Sequence, residues 1–202
     1  MEFFTPLNPE SSGSLGILMQ RVNKVQSEEA RTHLQDAHHR VMSVATLQRL
    51  LASSAKSDVA LRPYLTELCA SIGASMIADP ARLILTVAVD ESAMNRDQSV
   101  SLGLIVTELA INSLKHAFID FTRIDCHIDV TFTASAAGWV LTVSDNGCGL
   151  PDNHANTKPG LGTGIVNALA GQLAAVVKLE PNHPGTKVTV SHAASTTRDA
   201  ST

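Results

Sequence analysis

Aromatic residues are scarce in this chain, with five Phe, one Tyr and one Trp in 202 residues, so few flat side chains are available for stacking unpaired bases. Positive charge is not in excess either: 15 Lys and Arg against 19 Asp and Glu leave a formal net charge of −4, which is no footprint for a phosphate backbone. No nucleic-acid partner is expected. Cysteine is limited to Cys69, Cys126 and Cys148, odd in number and without C-x-x-C spacing. Neither a disulfide framework nor a zinc site is indicated, and a reducing cytoplasm fits. The uncharged residues 160–177 are broken by several Gly and by Thr163, Asn167 and Gln172, so no membrane segment is expected. The first residues show no basic region ahead of an apolar stretch, and no signal peptide is expected. Aliphatic residues are plentiful: hydrophobic residues make up 44% and charged ones 17%, the balance of a globular chain of one or two domains.

Residues 1–13 hold Pro6, Pro9 and Gly13 and read as an irregular lead-in. From 15 to about 51, Leu34, Ala37, Val41, Val44, Gln48 and Leu51 step by three and four, the apolar seam of a long helix. Pro63 suits the first turn of a second helix, with Leu65, Leu68, Cys69, Ile72 and Met76 on one face. The spacing predicts a helical hairpin over 14–77. Its core is too small to stand alone, so a homodimer closing a four-helix bundle is expected. A second region, 78–192, switches to period two. Leu83, Leu85, Val87 and Val89 alternate as a strand, a helix follows over about 98–118, and Ile128 to Phe132 and Trp139 to Val143 form a hairpin. A glycine-rich loop leads into a helix over about 163–173, and a last strand pair flanks the turn PNHPG. Helices and strands mix without a β-α-β repeat, which predicts an α+β sandwich with helices layered on a mixed β-sheet. Residues 193–202 read as a solvated tail.

Four short patterns could carry chemistry. In LGLIVTELAINSLKHAF, Glu108, Asn112 and His116 fall at i,i+4 steps with Lys115 beside them, a polar stripe that alone could be a solvated helix face. In VLTVSDNGCGLP a strand runs into Asp145, Gly147 and Gly149, where the backbone can turn sharply beside a flat ligand and the carboxylate can accept from an exocyclic amine. Alone this could be a turn. Gly160, Gly162 and Gly164 precede a helix whose first amides can hold phosphate. Gly185-Thr186 open the last strand, by themselves no more than a β-turn.

Their order is far more specific than any one of them. Over about residues 33–192 the chain resembles the core of a sensor histidine kinase of the HWE-like, second dimerisation-domain class, whose ATP-binding domain is of the GHKL type. The helix LGLIVTELAINSLKHAF carries most of that likeness. The resemblance implies ATP and Mg²⁺ as ligands. Asn112 would coordinate the metal that bridges the phosphates, and Asp145 would bind the adenine amine in a pocket that Gly147 and Gly149 permit. Gly160, Gly162 and Gly164 would line the phosphate side, with Thr186 near the adenine. Lys115 and His116 would offset phosphate charge. Glu108 matches the position that activates water in hydrolytic relatives.

The resemblance places the phosphoryl acceptor in DAHHRVMSVATLQ, at the His directly before Arg40, which is His39. With Leu34 and Ala37 on the seam, His39 also falls further from it than His38. A neutral imidazole is nucleophilic near pH 7. Two departures stand out: Met42-Ser43 replace the family's Lys-Asn, and the Trp-x-Glu that names the strict HWE group is absent, Trp139 having no matching Glu. The implied activity is autophosphorylation of His39 followed by transfer to an aspartate of a response regulator receiver domain, in a cytoplasmic protein. No sensory segment is apparent, so a separate sensory protein or a longer sensor would supply the input. Two alternatives stay open: a histidine phosphotransfer protein with an inactive ATP-binding-like domain, and an anti-sigma-type serine kinase.

Overall fold

The computed structural model describes residues 58–118, 125–150 and 161–194, together with isolated helical positions at 34, 37, 38, 41 and 45. Chain contacts divide it into two compact units, 1–39 and 40–202. Of the first unit, Leu34, Ala37 and His38 are described, all helical and exposed.

The second unit contains β1 (Asp58–Ala60), α1 (Leu61–Met76), β2 (Leu83–Val89), β3 (Ala93–Asn95) and α2 (Arg96–His116). These are followed by β4 (Cys126–Ser135), β5 (Gly138–Asp145), α3 (Leu161–Gln172), β6 (Val176–Pro181) and β7 (Thr186–Ala193). Five strands form one sheet in the order β2-β4-β5-β7-β6, and β1 pairs with β3 in a separate two-stranded ribbon. Among the described strands, β2 and β4 alone run parallel, and the other pairings are antiparallel. That parallel pair needs a long crossover, which β3 and α2 supply. The mixed sheet and the α+β class are as the alternation predicts.

Period two divides the sheet into an apolar face and a polar one. Val89, Ile128, Val130, Phe132, Leu141, Val143 and Val190 are buried in one cluster with the helices. The opposite face carries hydroxyls and charges in register: Thr86 lies opposite Asp129, Asp129 opposite Ser144, Ser144 opposite Lys187, and Lys187 opposite Glu180. Helices α1, α2 and α3 pack on the apolar face.

Helix α2 is the centre of that layer. Asn95 caps it, its side chain accepting from the Gln98 N–H at 2.9 Å, with Asp97 in the first turn and Lys115 and His116 in the last, each charge on the side that suits the helix dipole. Leu102, Ile105, Val106 and Ala110 are fully buried. The buried hydroxyls of Ser99 and Thr107 donate back to carbonyls four residues earlier, of Asn95 at 2.9 Å and Gly103 at 2.8 Å. Gly103 lets α1 approach closely: a Cβ there would lie 1.8 Å from the Tyr64 hydroxyl oxygen.

One expectation is corrected here. The seam Leu65, Leu68, Cys69, Ile72 is not left open for a partner helix in a dimeric bundle. It is buried in the same core as the sheet, with Met76 packed against it, so this face of α1 is consumed within the chain. The α1 start is tied in as well, by the Leu61 N–H to the Ser92 carbonyl at 2.9 Å. The β1–β3 ribbon is also absent from the sequence reading, since three-residue strands leave no periodic trace.

Candidate nucleotide-binding site

A cleft of about 400 Å³ opens between α2, α3 and the ends of β5, β6 and β7. Its wall is an apolar strip across three strands, because Val143 stands opposite Val188 and Val188 opposite Leu179. Leu109, Val166 and Val177 complete the apolar lining.

Asp145 closes one end. It is the inward residue at the last position of β5 and is 4% exposed. Burial of a carboxylate is costly unless its oxygens are hydrogen-bonded, and here they are. Oδ1 accepts from the Gly147 N–H at 3.0 Å and the Thr186 N–H at 3.1 Å, and Oδ2 accepts from the Ser113 hydroxyl at 3.0 Å. Two glycines make this possible. A Cβ on Gly147 would lie 2.2 Å from the Ala117 carbonyl oxygen, in a place where the Cys148 N–H donates to that same oxygen at 2.8 Å. Gly185 has φ +106°, and a Cβ there would lie 1.9 Å from the Asp145 carbonyl oxygen. That carbonyl accepts from the Asn182 side-chain amide at 2.9 Å. Asn146 ties the same loop to β4, donating to the Asp125 carbonyl and accepting from the His127 N–H, both at 2.8 Å.

Asn112 and His116 line the cleft from the last turns of α2, and Gly162 and Thr163 line it from the start of α3. Glu108 is 5% exposed. A Cβ on Gly162 would stand 3.1 Å from Glu108 Oε2 and 3.4 Å from Asn112 Nδ2, so the first turn of α3 lies directly over the polar stripe of α2. The structure thus gathers Asn112, His116, Asp145, Gly149, Gly162 and Thr186 around one cavity. Glu108 and Gly147 sit immediately behind it. Lys115 is half-buried on α2 and Gly164 has open space around it, and neither lines the cleft. His39 and Gly160 lie outside the described residues, as do Met42 and Ser43.

Sequence alone puts Ser113 on the helix side of Val106, Leu109 and Ala117 but does not show its bond to Asp145, nor which strand residues form the wall. Period two placed Val143 and Val188 inside without saying which part of the inside is open. Cys69 and Cys126 are buried thiols and Cys148 is exposed. Burial pushes the Cys69 thiol up to about 12. Among the described residues no group of three or more His, Cys, Asp or Glu could hold a metal ion. Nor is any described helix long and apolar enough to cross a membrane.

Comparison with known proteins agrees with this geometry. Residues 97–195 match the family described as histidine kinase-, DNA gyrase B-, and HSP90-like ATPase. Residues 14–76 match a histidine kinase family. Sensor histidine kinase PdtaS of Mycolicibacterium smegmatis is 29% identical over 156 residues, covering 76% of this chain and 30% of the relative. The chain therefore spans about a third of the length of that protein. Among solved structures, the histidine kinase domain of a blue-light activated histidine kinase from Erythrobacter litoralis EL346 superposes with a TM-score of 0.68 at 23% identity, covering 88% of this chain and 83% of that one. Histidine kinase AdeS of Acinetobacter baumannii superposes with a TM-score of 0.55 at 15% identity, over 94% and 86%. At these identities the structural likeness speaks for the fold.

Proposed function

The chain belongs to the sensor histidine kinases, as a core with a GHKL-type ATPase domain, and from that premise we propose that it binds ATP in the cleft and phosphorylates His39. The buried Asp145 carboxylate carries this reading. It stands at the end of an apolar slot with three donors on it, which suits a flat base with one amine at its edge. Asn112 and His116 occupy the same cavity and would meet the phosphates. Mg²⁺, when bound, would neutralise phosphate charge. The donor set fits an ion held mainly by phosphate and water oxygens, since Asn112 contributes a single amide oxygen and Mg²⁺ accepts few protein ligands. Glu108 lies close beneath the start of α3 and can orient groups there.

In the proposed reaction an imidazole nitrogen lone pair of His39 attacks the γ-phosphorus, the bond to the β–γ bridging oxygen breaks, and ADP leaves. A response regulator receiver aspartate then takes the phosphoryl group as an acyl phosphate and the imidazole is regenerated. Homodimerisation through the first helix is supported by Leu34 and Val41, 41% and 66% exposed on its apolar seam. A cytoplasmic location, and input from a separate sensory protein or from the rest of a longer sensor, belong to the same proposal. Met42-Ser43, where the family resemblance has Lys-Asn, favours a second reading, a phosphotransfer protein with a silent ATP domain.

Calorimetry and labelled ATP separate the two. ATP with Mg²⁺ should bind, Asp145→Asn and Asn112→Ala should each weaken binding by roughly a hundredfold, and label should accumulate in an acid-labile, base-stable form that His39→Ala abolishes. Absence of ATP binding by the unmodified chain would leave the phosphotransfer reading. Acid-stable label would point instead to a serine ester.

A further inference from the structure

We infer that Ser113 is a positioning residue for base recognition: its hydroxyl holds Asp145 Oδ2 so that the carboxylate keeps one acceptor direction for a ligand amine. The inference rests on the reading that Asp145 receives such an amine. An ionised carboxylate offers about four acceptor sites. The Gly147 and Thr186 N–H groups occupy the two on Oδ1, and the Ser113 hydroxyl, 3.0 Å away, takes one of the two on Oδ2. Ser113, Asp145 and Thr186 all line the cleft. The remaining site on Oδ2 is matched by a single N–H. Without the hydroxyl, Oδ2 would face the cleft with two open sites, and a base with one amine would leave a buried carboxylate oxygen short of a partner. The bond also ties the base end of the cleft to the helical turn that carries Asn112.

Asn182 supplies a built-in contrast. Its amide donates to the Asp145 main-chain carbonyl, so it supports the loop without touching the carboxylate. Loss of a loop support weakens every nucleotide alike. Loss of Ser113 should be felt only by a base that bears the amine.

The experiment is calorimetric titration of the full chain with ATP and with purine riboside triphosphate, which differs from ATP by lacking the 6-amino group. Ser113→Ala should weaken ATP about tenfold, the order of one hydrogen bond to a charged group, and leave the amine-free analogue within about twofold, inside calorimetric scatter for an unaffected contact. Ser113→Thr, which keeps the hydroxyl, should restore ATP affinity. Asn182→Ala should weaken both nucleotides by the same factor. If the unmodified chain prefers ATP but Ser113→Ala weakens both ligands equally, or leaves ATP unchanged, Ser113 has no positioning role. An unmodified chain indifferent to the amine overturns the Asp145 reading itself, and this inference with it.

Discussion

Leu65, Leu68 and Ile72 follow the same three-and-four spacing along α1 as Leu34, Ala37 and Val41 do along the first helix. The first set is 0–2% exposed, however, while Leu34 and Val41 are 41% and 66% exposed. Periodicity says that a helix has an apolar side; it does not say what covers it. For α1 the cover is the chain's own sheet and α2. The two segments therefore carry different duties. Removing apolar groups from α1 should damage the ATPase domain, whereas the same change on the first helix should leave that domain intact.

The most severe test is truncation. A chain beginning at Asp79 lacks six buried α1 side chains, Leu61, Tyr64, Leu65, Leu68, Cys69 and Ile72. At roughly 1.5–3 kcal/mol each, their loss is comparable with the whole stability of a domain, about 5–15 kcal/mol. Such a chain should fail to show a cooperative melt or to bind ATP, whereas one beginning at Asp58 should do both. A folded, nucleotide-binding chain from Asp79 would return α1 to the hairpin. Next in size, Leu68→Ala should cost about 2–5 kcal/mol in urea unfolding of the ATPase domain, the range for an emptied leucine site.

Cys69 offers a subtler probe of the same face. Burial disfavours the thiolate and pushes the folded thiol up to about 12 from an ordinary 9.0. The raised value means that stability is complete below pH 9 and declines as the unfolded chain ionises, by about 1.4 kcal/mol per pH unit up to the folded value. Urea midpoints at pH 8 and pH 10 should differ accordingly, and Cys69→Ala should remove that part of the slope. Tyr64→Phe should stabilise the domain by about 1 kcal/mol, because the buried Tyr64 hydroxyl has no hydrogen-bond partner among the described residues. The smallest effect belongs to the other seam: Val41→Ser should shift the melting free energy of the ATPase domain by no more than about 0.5 kcal/mol. A larger loss would mean that this seam, too, supports the domain.

Much of the site was legible because its residues are bound to short patterns. Asp145 at a strand end before two glycines, and Asn112 four residues after Glu108, announce themselves by spacing, and the structure gathers both at one cleft. Ser113 was legible only as sharing a helix side with Val106, Leu109 and Ala117; nothing near it in the sequence announces a carboxylate 32 residues away at 3.0 Å. Gly185 belongs to the same class. Read locally it is a turn glycine, and only the approach of the Asp145 carbonyl shows why no side chain fits there.

What the sequence by itself determined was the set of longer elements: alternation from Leu83 to Val89, from Ile128 to Phe132 and from Trp139 to Val143, a helix over about 98–118, and the ordered motifs at their ends. These are local, written in steps of two or of three and four, and a strand or helix needs no distant partner to declare its period. Tertiary structure alone decided the rest, namely the parallel pairing of β2 with β4, the β1–β3 ribbon, the burial of the α1 seam and the saturation of Asp145 Oδ1. Each of these joins residues far apart in the chain, and the free energy that selects one partner among many apolar or polar candidates arises only when shape, burial and hydrogen bonding are satisfied together.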